Sequence, residues 1–198
     1  MNVRLSYNIE FLASAVVNSN FICNHYYVNL DMTTVTYDSI EQNIALERIK
    51  FLTEHELTNS VFASIDDIEH VLQLQQAGLK TIVLPDQAVD QIIGLMLYAK
   101  LNAICEERIL INQVTISSDA GQQMRYLHDE HEDLGPFEEM GWWHTPDSTC
   151  FDRNSNAGKI IDLQNNFNWH SVNLHWEAEP IIDSQLDSNV LSFNKTDD

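Results

Sequence analysis

Short apolar runs alternate with helix-length segments over residues 2–117, and this order limits the fold more than any other feature. Apolar spacing, aspartates at N-caps and Gly78 at a helix end predict three helices, at residues 39–57, 67–77 and 87–107. Runs rich in strand-forming residues predict strands within 2–36 and at 61–65, 80–84 and 108–117. This alternation favours an α/β or α+β fold, in which helices are layered on a sheet.

The sequence changes character after residue 119. Residues 119–133 predict a polar helix, and all four tryptophans follow it, where turn residues at 154–158 indicate a hairpin. We therefore predict an α/β domain at 1–134 and a smaller Trp-rich extension at 135–182, which is β-rich or irregular and packs on the domain. The Ser-, Asp- and Asn-rich end at 183–198 predicts a flexible tail.

Cations are scarce throughout the chain. Ten Lys and Arg residues face 30 Asp and Glu residues, which gives a net charge of −20. Such a surface repels nucleic-acid phosphates and anionic membranes, and it attracts basic protein surfaces. We therefore expect a basic protein partner, and we expect neither direct nucleic-acid binding nor membrane binding.

The cysteines and the apolar runs indicate the compartment. Cys23, Cys105 and Cys150 are far apart and form no CxxC pair, so neither a disulfide framework nor a zinc knuckle is indicated. No apolar run approaches the roughly 18 residues of a membrane span. These features predict a soluble protein in a reducing, cytoplasmic setting.

The strongest local feature is a run of histidines and carboxylates at 128–133, followed by further carboxylates and a tryptophan pair. This combination suits the docking of a basic partner, because exposed tryptophans often anchor interfaces. The predicted interaction residues are Asp129, Glu130, Glu132, Asp133, Glu138, Glu139, Trp142 and Trp143. The simpler interpretations are a solvated acidic segment and tryptophans that build a small core.

A metal site is another interpretation of the same run. On a helix, His128, His131 and Glu132 lie on one side, and imidazole with carboxylate suits Zn, Mn or Fe. One helical turn supplies only part of a coordination sphere, so further ligands have to come from elsewhere. The candidates are His144, His170 and His175. We expect no cofactor for an interaction protein and a divalent metal for this alternative.

Three charged residues form a further candidate ligand site. Asp86 and Asp90 follow a predicted strand, where ligands of α/β sheets bind. Arg48 lies within the apolar arc of a predicted helix, so its burial requires a carboxylate, for which Asp86 and Asp90 are candidates, or a ligand anion. The structural alternative is that Asp86 caps a helix and Arg48 belongs to a polar seam. Lys100 is expected to extend its ammonium towards solvent or Glu107.

Three segments resemble uncharacterised acidic proteins encoded by tailed bacteriophages: EQNIALERIKF at 41–51, AGLK at 77–80 and YLHDE at 126–130. The resemblance covers roughly residues 40–145 and carries no activity to transfer. It implies a viral protein that acts in the cytoplasm of a bacterial host.

The chain contains no GxGxxG, Walker A or GxSxG motif and no complete catalytic set. We therefore predict a non-enzymatic interaction protein that binds a basic protein surface, for example that of a nucleic-acid-binding protein. Two alternatives stay open. One is a metal-dependent enzyme of hydrolase type, and the other is a structural or assembly component of a virion.

Overall fold

A computed structural model describes residues 3–131, 133–148, 150, 169 and 171–176 of the chain. Six strands in these residues form one mixed sheet: β1 (Arg4–Val17), β2 (Asn20–Thr34), β3 (Val61–Ser64), β4 (Thr81–Leu84), β5 (Ile109–Ser118) and β6 (Tyr126–Asp129). Their order across the sheet is β4-β3-β1-β2-β5-β6. The helices are α1 (Ser39–Phe51), α2 (Ile68–Gln76) and α3 (Asp90–Cys105). The predicted fold class is confirmed, and it takes the α+β form.

A long hairpin of β1 and β2 forms the centre of the sheet. Alternate residues of β1, from Ile9 to Ala15, are buried, and β2 alternates in the same way between Asn24 and Thr34. The turn residues Asn18 and Ser19 both have positive φ, 49° and 61°, as a tight two-residue hairpin turn requires. β5 and β6 continue the antiparallel part beyond β2, while β3 and β4 add to the other edge of β1 in parallel.

The first two predicted helices are confirmed with small changes in their bounds. Asp38 caps α1 by accepting a hydrogen bond from the Ile40 N–H, and a π-helical turn at Leu52–Leu57 completes the segment predicted at 39–57. α2 ends just before Gly78, whose φ of +78° favours glycine. None of the helices in the described residues is long and apolar enough to span a membrane.

The third helix, α3, begins three residues later than predicted. The Asp86 carboxylate accepts a hydrogen bond from the neighbouring Gln87 N–H at 2.6 Å, and Val89, in an extended conformation, takes the N-cap position. Asp86 therefore does not cap α3. The helix ends at Cys105, and the next residue, Glu106, adopts a left-handed conformation.

The helices cover the two faces of the sheet unequally. α1 and α3 pack on one face of the sheet, where they enclose the main core. α2 packs on the opposite face, but only over β3 and β4, in a small cluster that includes Val16 and Val71. The antiparallel strands β1, β2 and β5 thus have a second face on which no described helix packs, and we call it the open face.

The polar helix predicted at 119–133 is wrong. Residues 119–124 form tight turns in which Gln122 and Gln123 have positive φ, and β6 follows and pairs with β5. His128 points into the core from β6, while Leu127 is exposed on the other face. Pairing at the edge of a sheet overrides a helix pattern that contains few apolar positions.

Part of the Trp-rich segment packs on the main core. Phe137, Trp142, Trp169 and Trp176 are buried together with the sheet and the helices. Where it is described, this part is irregular, with 3₁₀ turns at Gly135–Phe137 and Trp142–His144. The hairpin predicted at 154–158 and the tail predicted at 183–198 lie outside the described residues.

Candidate functional site

The open face carries polar side chains in register across three strands. Glu10 of β1 lies opposite Tyr27 of β2, and Tyr27 lies opposite Ser117 of β5. Arg125 directly precedes β6, whose pairing with β5 ends at Tyr126 and Ile116, and it lines the same surface depression as Ser117. We call these four residues the polar row: a carboxylate at one end, a guanidinium at the other, and two hydroxyls between them.

A second line of polar residues runs beside the polar row. Asn8 lies opposite Asn29, and Asn29 lies opposite Thr115. The Asn29 side-chain N–H groups donate to Asn8 Oδ1 at 2.7 Å and to Ser6 Oγ at 3.0 Å, which fixes both amides. Between the two lines, the face forms a depression of about 420 Å³. It is lined by Asn8, Ile9, Glu10, Tyr27, Val28, Asn29, Thr115, Ser117 and Arg125.

The polar row is electronegative at Tyr27. The pKa of Tyr27 is raised, first by loss of solvation, then by the Asp119 carboxylate and the Glu10 carboxylate. His25, two residues before Tyr27 on the same strand, places its Nε2 3.6 Å from Glu10 Oε2. Its ring lies 4.4 Å from that of Tyr27. A basic or hydrogen-bond-donating group of a ligand is therefore favoured near Tyr27, between the Glu10 and Asp119 carboxylates.

Arg125, at the other end, has no carboxylate oxygen of the described residues within 4.0 Å of its guanidinium. The other Lys and Arg side chains of these residues all contact carboxylates or backbone carbonyls. They are Arg4, Arg48, Lys50, Lys80, Lys100 and Arg108. In a chain with three acidic residues for every basic one, an arginine that faces a depression without a carboxylate partner is the arrangement expected of an anion contact.

Arg48 is buried, as the position in its helix indicates, and its partner is Glu106 rather than Asp86 or Asp90. Its Nη1 lies 2.7 Å from Glu106 Oε1, and its Nε donates to the Leu174 carbonyl at 2.7 Å. The guanidinium lies between the rings of Trp169 and Trp176, at 4.5 and 3.9 Å from their centres. These contacts, which we call the Arg48 clasp, attach the C-terminal segment to α1 and engage the guanidinium within the protein.

The two aspartates predicted as ligands have separate environments. Asp86 is exposed and bonds to the adjacent backbone. Asp90, the first residue of α3, accepts a hydrogen bond from Ser118 Oγ at 2.6 Å. Its pKa is raised by burial, an effect that the hydrogen bond from Ser118 partly offsets. The cavity that admits Asp90 depends on Gly121, where a Cβ would collide with the carboxylate.

The predicted metal ligands do not converge in the described residues, which contain no group of three His, Cys, Asp or Glu side chains suited to a metal ion. His128 is buried against α3, at Gly94, where a Cβ would approach its ring to 2.7 Å. His131 is exposed, and His144 Nε2 lies 2.7 Å from the Phe137 carbonyl oxygen. His175 is half-buried in the C-terminal segment, while Glu132 and His170 lie outside the described residues.

The predicted interaction residues divide into an exposed set and a packed set. Glu130, Asp133, Glu138 and Glu139 are exposed, and Asp129 is half-buried at the end of β6. Asp133, through a side-chain hydrogen bond and its charge, raises the pKa of Glu138.

The two tryptophans of this prediction pack inward. Trp142 is buried, with its indole N–H donated to the Val83 carbonyl. Half-buried Trp143 donates to the carbonyls of Phe137 and Glu139. Trp142 therefore serves the core, and the carboxylates remain on the surface.

Lys100 does not extend to solvent, contrary to the prediction. Its ammonium is fully buried and donates to the Trp142 carbonyl at 2.9 Å and the Thr145 carbonyl at 3.0 Å. Asp147 lies 3.7 Å away. Burial lowers the pKa of this ammonium, while Cys150 and Asp147 act in the opposite direction. Lys100 thus holds the loop that follows Trp142 against α3.

The polar row was missed because its residues are not close in sequence. A local signal exists in β2, where every second residue from His25 to Thr33 is polar or aromatic while the intervening ones are mostly apolar. That alternation predicts a strand with one face in the core and one in solvent. The register that aligns Glu10, Tyr27 and Ser117 depends on tertiary pairing, which alternation alone does not provide.

No protein-family model matches the chain, and no curated protein is significantly similar to it in sequence. Among solved structures, an uncharacterized protein from Wolinella succinogenes has a TM-score of 0.50 at 11% identity, covering 66% of this chain and 99% of that one. The 6-pyruvoyl tetrahydropterin synthase from Plasmodium vivax has a TM-score of 0.44 at 9% identity, covering 65% and 97%. The corresponding synthase from Plasmodium falciparum has a TM-score of 0.42 at 13% identity, covering 66% and 99%. The similarity to the Wolinella protein shows a shared fold and nothing about activity.

Proposed function

We propose that this chain binds a small polar molecule on the open face of its sheet, with an anionic group of the ligand held by Arg125. The observation that carries the proposal is the placement of Arg125 beside the depression of about 420 Å³, without a carboxylate partner among the described residues. Carboxylate and phosphate groups suit a guanidinium, because both accept two parallel hydrogen bonds from it.

The surroundings of Arg125 support a ligand of modest size. Ser117 and Thr115 supply hydroxyls, and Asn8 and Asn29 supply amide groups, so a polar molecule finds donors and acceptors over the floor of the depression. The depression lies within the range of typical small-molecule sites, roughly 300–1,000 Å³. It is open to solvent and polar, so we expect weak, salt-sensitive binding.

Titration with acetate and with inorganic phosphate, followed by backbone amide NMR shifts, tests the proposal. We expect saturable shifts in β1, β2 and β5 around Tyr27 and Ser117, and their loss in Arg125→Gln. Arg4→Gln is the matched control, because Arg4 is exposed on the same sheet but is paired with Asp31 at 2.8 Å. Equal shifts in both variants, or shifts elsewhere only, would contradict the proposal.

The crowding of Asp133 and Glu138 favours a second candidate function, the binding of a basic protein surface by the exposed carboxylates at 129–139. The raised pKa of Glu138 shows that Asp133 repels its charge, and a nearby cation relieves that repulsion. The net charge of −20 would steer a basic partner towards the whole molecule. The acidic segment would then determine where the partner docks.

Calorimetric titration with a short poly-lysine peptide tests this second candidate. We expect the double variant Asp133→Asn, Glu138→Gln to bind the peptide more weakly than a double variant of equal charge, Glu47→Gln, Glu69→Gln, whose carboxylates lie on α1 and α2. Equal affinities would show that the peptide responds to net charge alone and would exclude the segment as a docking site.

A further inference from the structure

The two ends of the polar row carry opposite charges on one surface. Consecutive strands lie about 4.8 Å apart, so the three steps from Glu10 to Arg125 separate their Cα atoms by about 14 Å. Side chains stand nearly perpendicular to a sheet, which keeps the two charged groups apart above the depression. No ion pair joins the two residues, whose charged groups are therefore more than 4.0 Å apart. Glu10 lies 3.6 Å from His25 Nε2 but keeps 64% of its side chain exposed, and Arg125 is exposed, so both ends are accessible to one ligand that spans the row.

The charges around the depression disfavour a plain anion. Glu10 and Asp119 lie near Tyr27, and together they outweigh Arg125. The whole chain adds a negative field through its net charge of −20. An anionic ligand without a compensating positive group is thus attracted by Arg125 and repelled by the rest of the site.

We infer that the polar row selects a zwitterion, with the anionic group of the ligand at Arg125 and its ammonium group at Glu10. This inference rests on the proposed function and adds the second contact. A zwitterion has no net charge for the field of the protein to repel, and its ammonium meets Glu10, one of the two carboxylates beside Tyr27. The ligand class is therefore an amino acid or a similar molecule whose two charges are separated along a chain.

The test uses 6-aminohexanoate as the zwitterion, N-acetyl-6-aminohexanoate as the matched anion and the methyl ester of 6-aminohexanoate as the matched cation. Dissociation constants come from amide NMR shifts at low ionic strength. We expect the zwitterion to bind about fivefold more tightly than the N-acetyl compound, as a solvent-exposed charge pair allows. Glu10→Gln should reduce that ratio to about one, whereas Glu69→Gln on α2 should leave it unchanged.

The length of the ligand supplies an independent check. Glycine is too short to reach both ends of the polar row, so affinity should rise from glycine through 4-aminobutyrate to 6-aminohexanoate. Equal affinities along this series would overturn the two-ended contact.

The outcomes separate the inference from the proposed function. If the N-acetyl compound binds as tightly as the zwitterion and Arg125→Gln weakens both, the ligand is an anion, and the zwitterion inference is wrong while the proposed function stands. If none of the probes shifts the open-face residues, both are wrong. If the ester binds as tightly as the zwitterion and Arg125→Gln changes nothing, the site is a cation site, and both are again wrong.

Discussion

Arg48 lies on α1, which covers one face of the sheet, and Arg125 lies on the opposite, open face. The surroundings of the two arginines differ. Arg48 is 2% exposed, pairs with Glu106 and lies between two tryptophan rings. Arg125 is exposed on the open face and has no carboxylate partner among the described residues. The helix-covered face uses Arg48 to hold the chain together, whereas the open face leaves Arg125 accessible to a ligand. Substitutions should therefore affect stability on the first face and binding on the second.

Among single substitutions, the largest expected effect is the loss of the Arg48 clasp. Arg48→Met should lower the free energy of unfolding by about 3 kcal/mol, near the lower end for breaking a buried pair from one side, because Glu106 keeps some access to solvent. Urea unfolding followed by circular dichroism measures it. Arg48→Lys should recover only part of the loss, since an ammonium lacks the planar group that stacks on both indoles. A loss below about 1 kcal/mol would mean that the clasp contributes little to folding.

Alkaline pH should also lower the free energy of unfolding, through thiols buried in the core on the helix-covered face. Burial raises the pKa of Cys105 and Cys150 from about 9 to about 12. Between these values the unfolded chain has lost thiol protons that the folded chain retains, so rising pH favours unfolding. The contribution is full below pH 9 and is lost towards pH 12, at about 1.4 kcal/mol per pH unit for each thiol. Tyr26, also raised to about 12, adds to this trend above pH 10, and Lys100, whose pKa is lowered, opposes it.

Urea unfolding at several pH values between 8 and 11 checks this slope. Cys105→Ala should lower the stability at neutral pH and make the pH dependence shallower, whereas Cys23→Ala, at an exposed thiol, should leave the slope unchanged. An identical slope in the two variants would show that other groups control alkaline unfolding.

Arg48 shows why the sequence predicts helices and strands better than it predicts the contacts of individual side chains. The three helices, the strand at 80–84 and the burial of Arg48 follow from local apolar spacing, and each is confirmed. The partner of Arg48 was not predictable, because Glu106 lies 58 positions away, at a left-handed helix end that only the fold brings close.

The site itself depends on strand register. Glu10, Tyr27 and Ser117 are distant in sequence, and a shift of one residue in either pairing would turn a partner to the core. Alternation in β2 shows that an open face exists, but nothing local shows which residues meet on it. The run of histidines and carboxylates at 128–133 is more prominent in the sequence, but the pairing of β6 with β5 places its first histidine, His128, in the core.

A smaller effect is expected at the edge of β5, where Asn102 of α3 binds the backbone of Ile111. The side-chain amide accepts from the Ile111 N–H at 3.0 Å and donates to its carbonyl at 3.3 Å, in the manner of a neighbouring strand. Asn102→Ala should cost about 1–2 kcal/mol, because both buried backbone groups lose their partner. The freed edge should also promote association at high protein concentration, which light scattering measures.

The matched control is Asn112→Ala. Asn112 is a neighbouring asparagine whose side chain donates to Thr33 Oγ1 at 2.8 Å and serves no backbone group. If both variants lose equal stability and neither associates, Asn102 does not protect the edge.

The smallest change in stability is expected for Arg125→Gln, and this variant distinguishes the two faces of the sheet most clearly. Arg125→Gln should change the free energy of unfolding by no more than about 0.5 kcal/mol, since the side chain is exposed and has no carboxylate partner among the described residues. The same substitution should abolish the acetate and phosphate shifts on the open face. A variant that keeps its full stability and loses its ligand places Arg125 in the binding site. A loss of stability comparable to that of Arg48→Met would instead mean that the open face, like the other, uses its arginine to hold the fold.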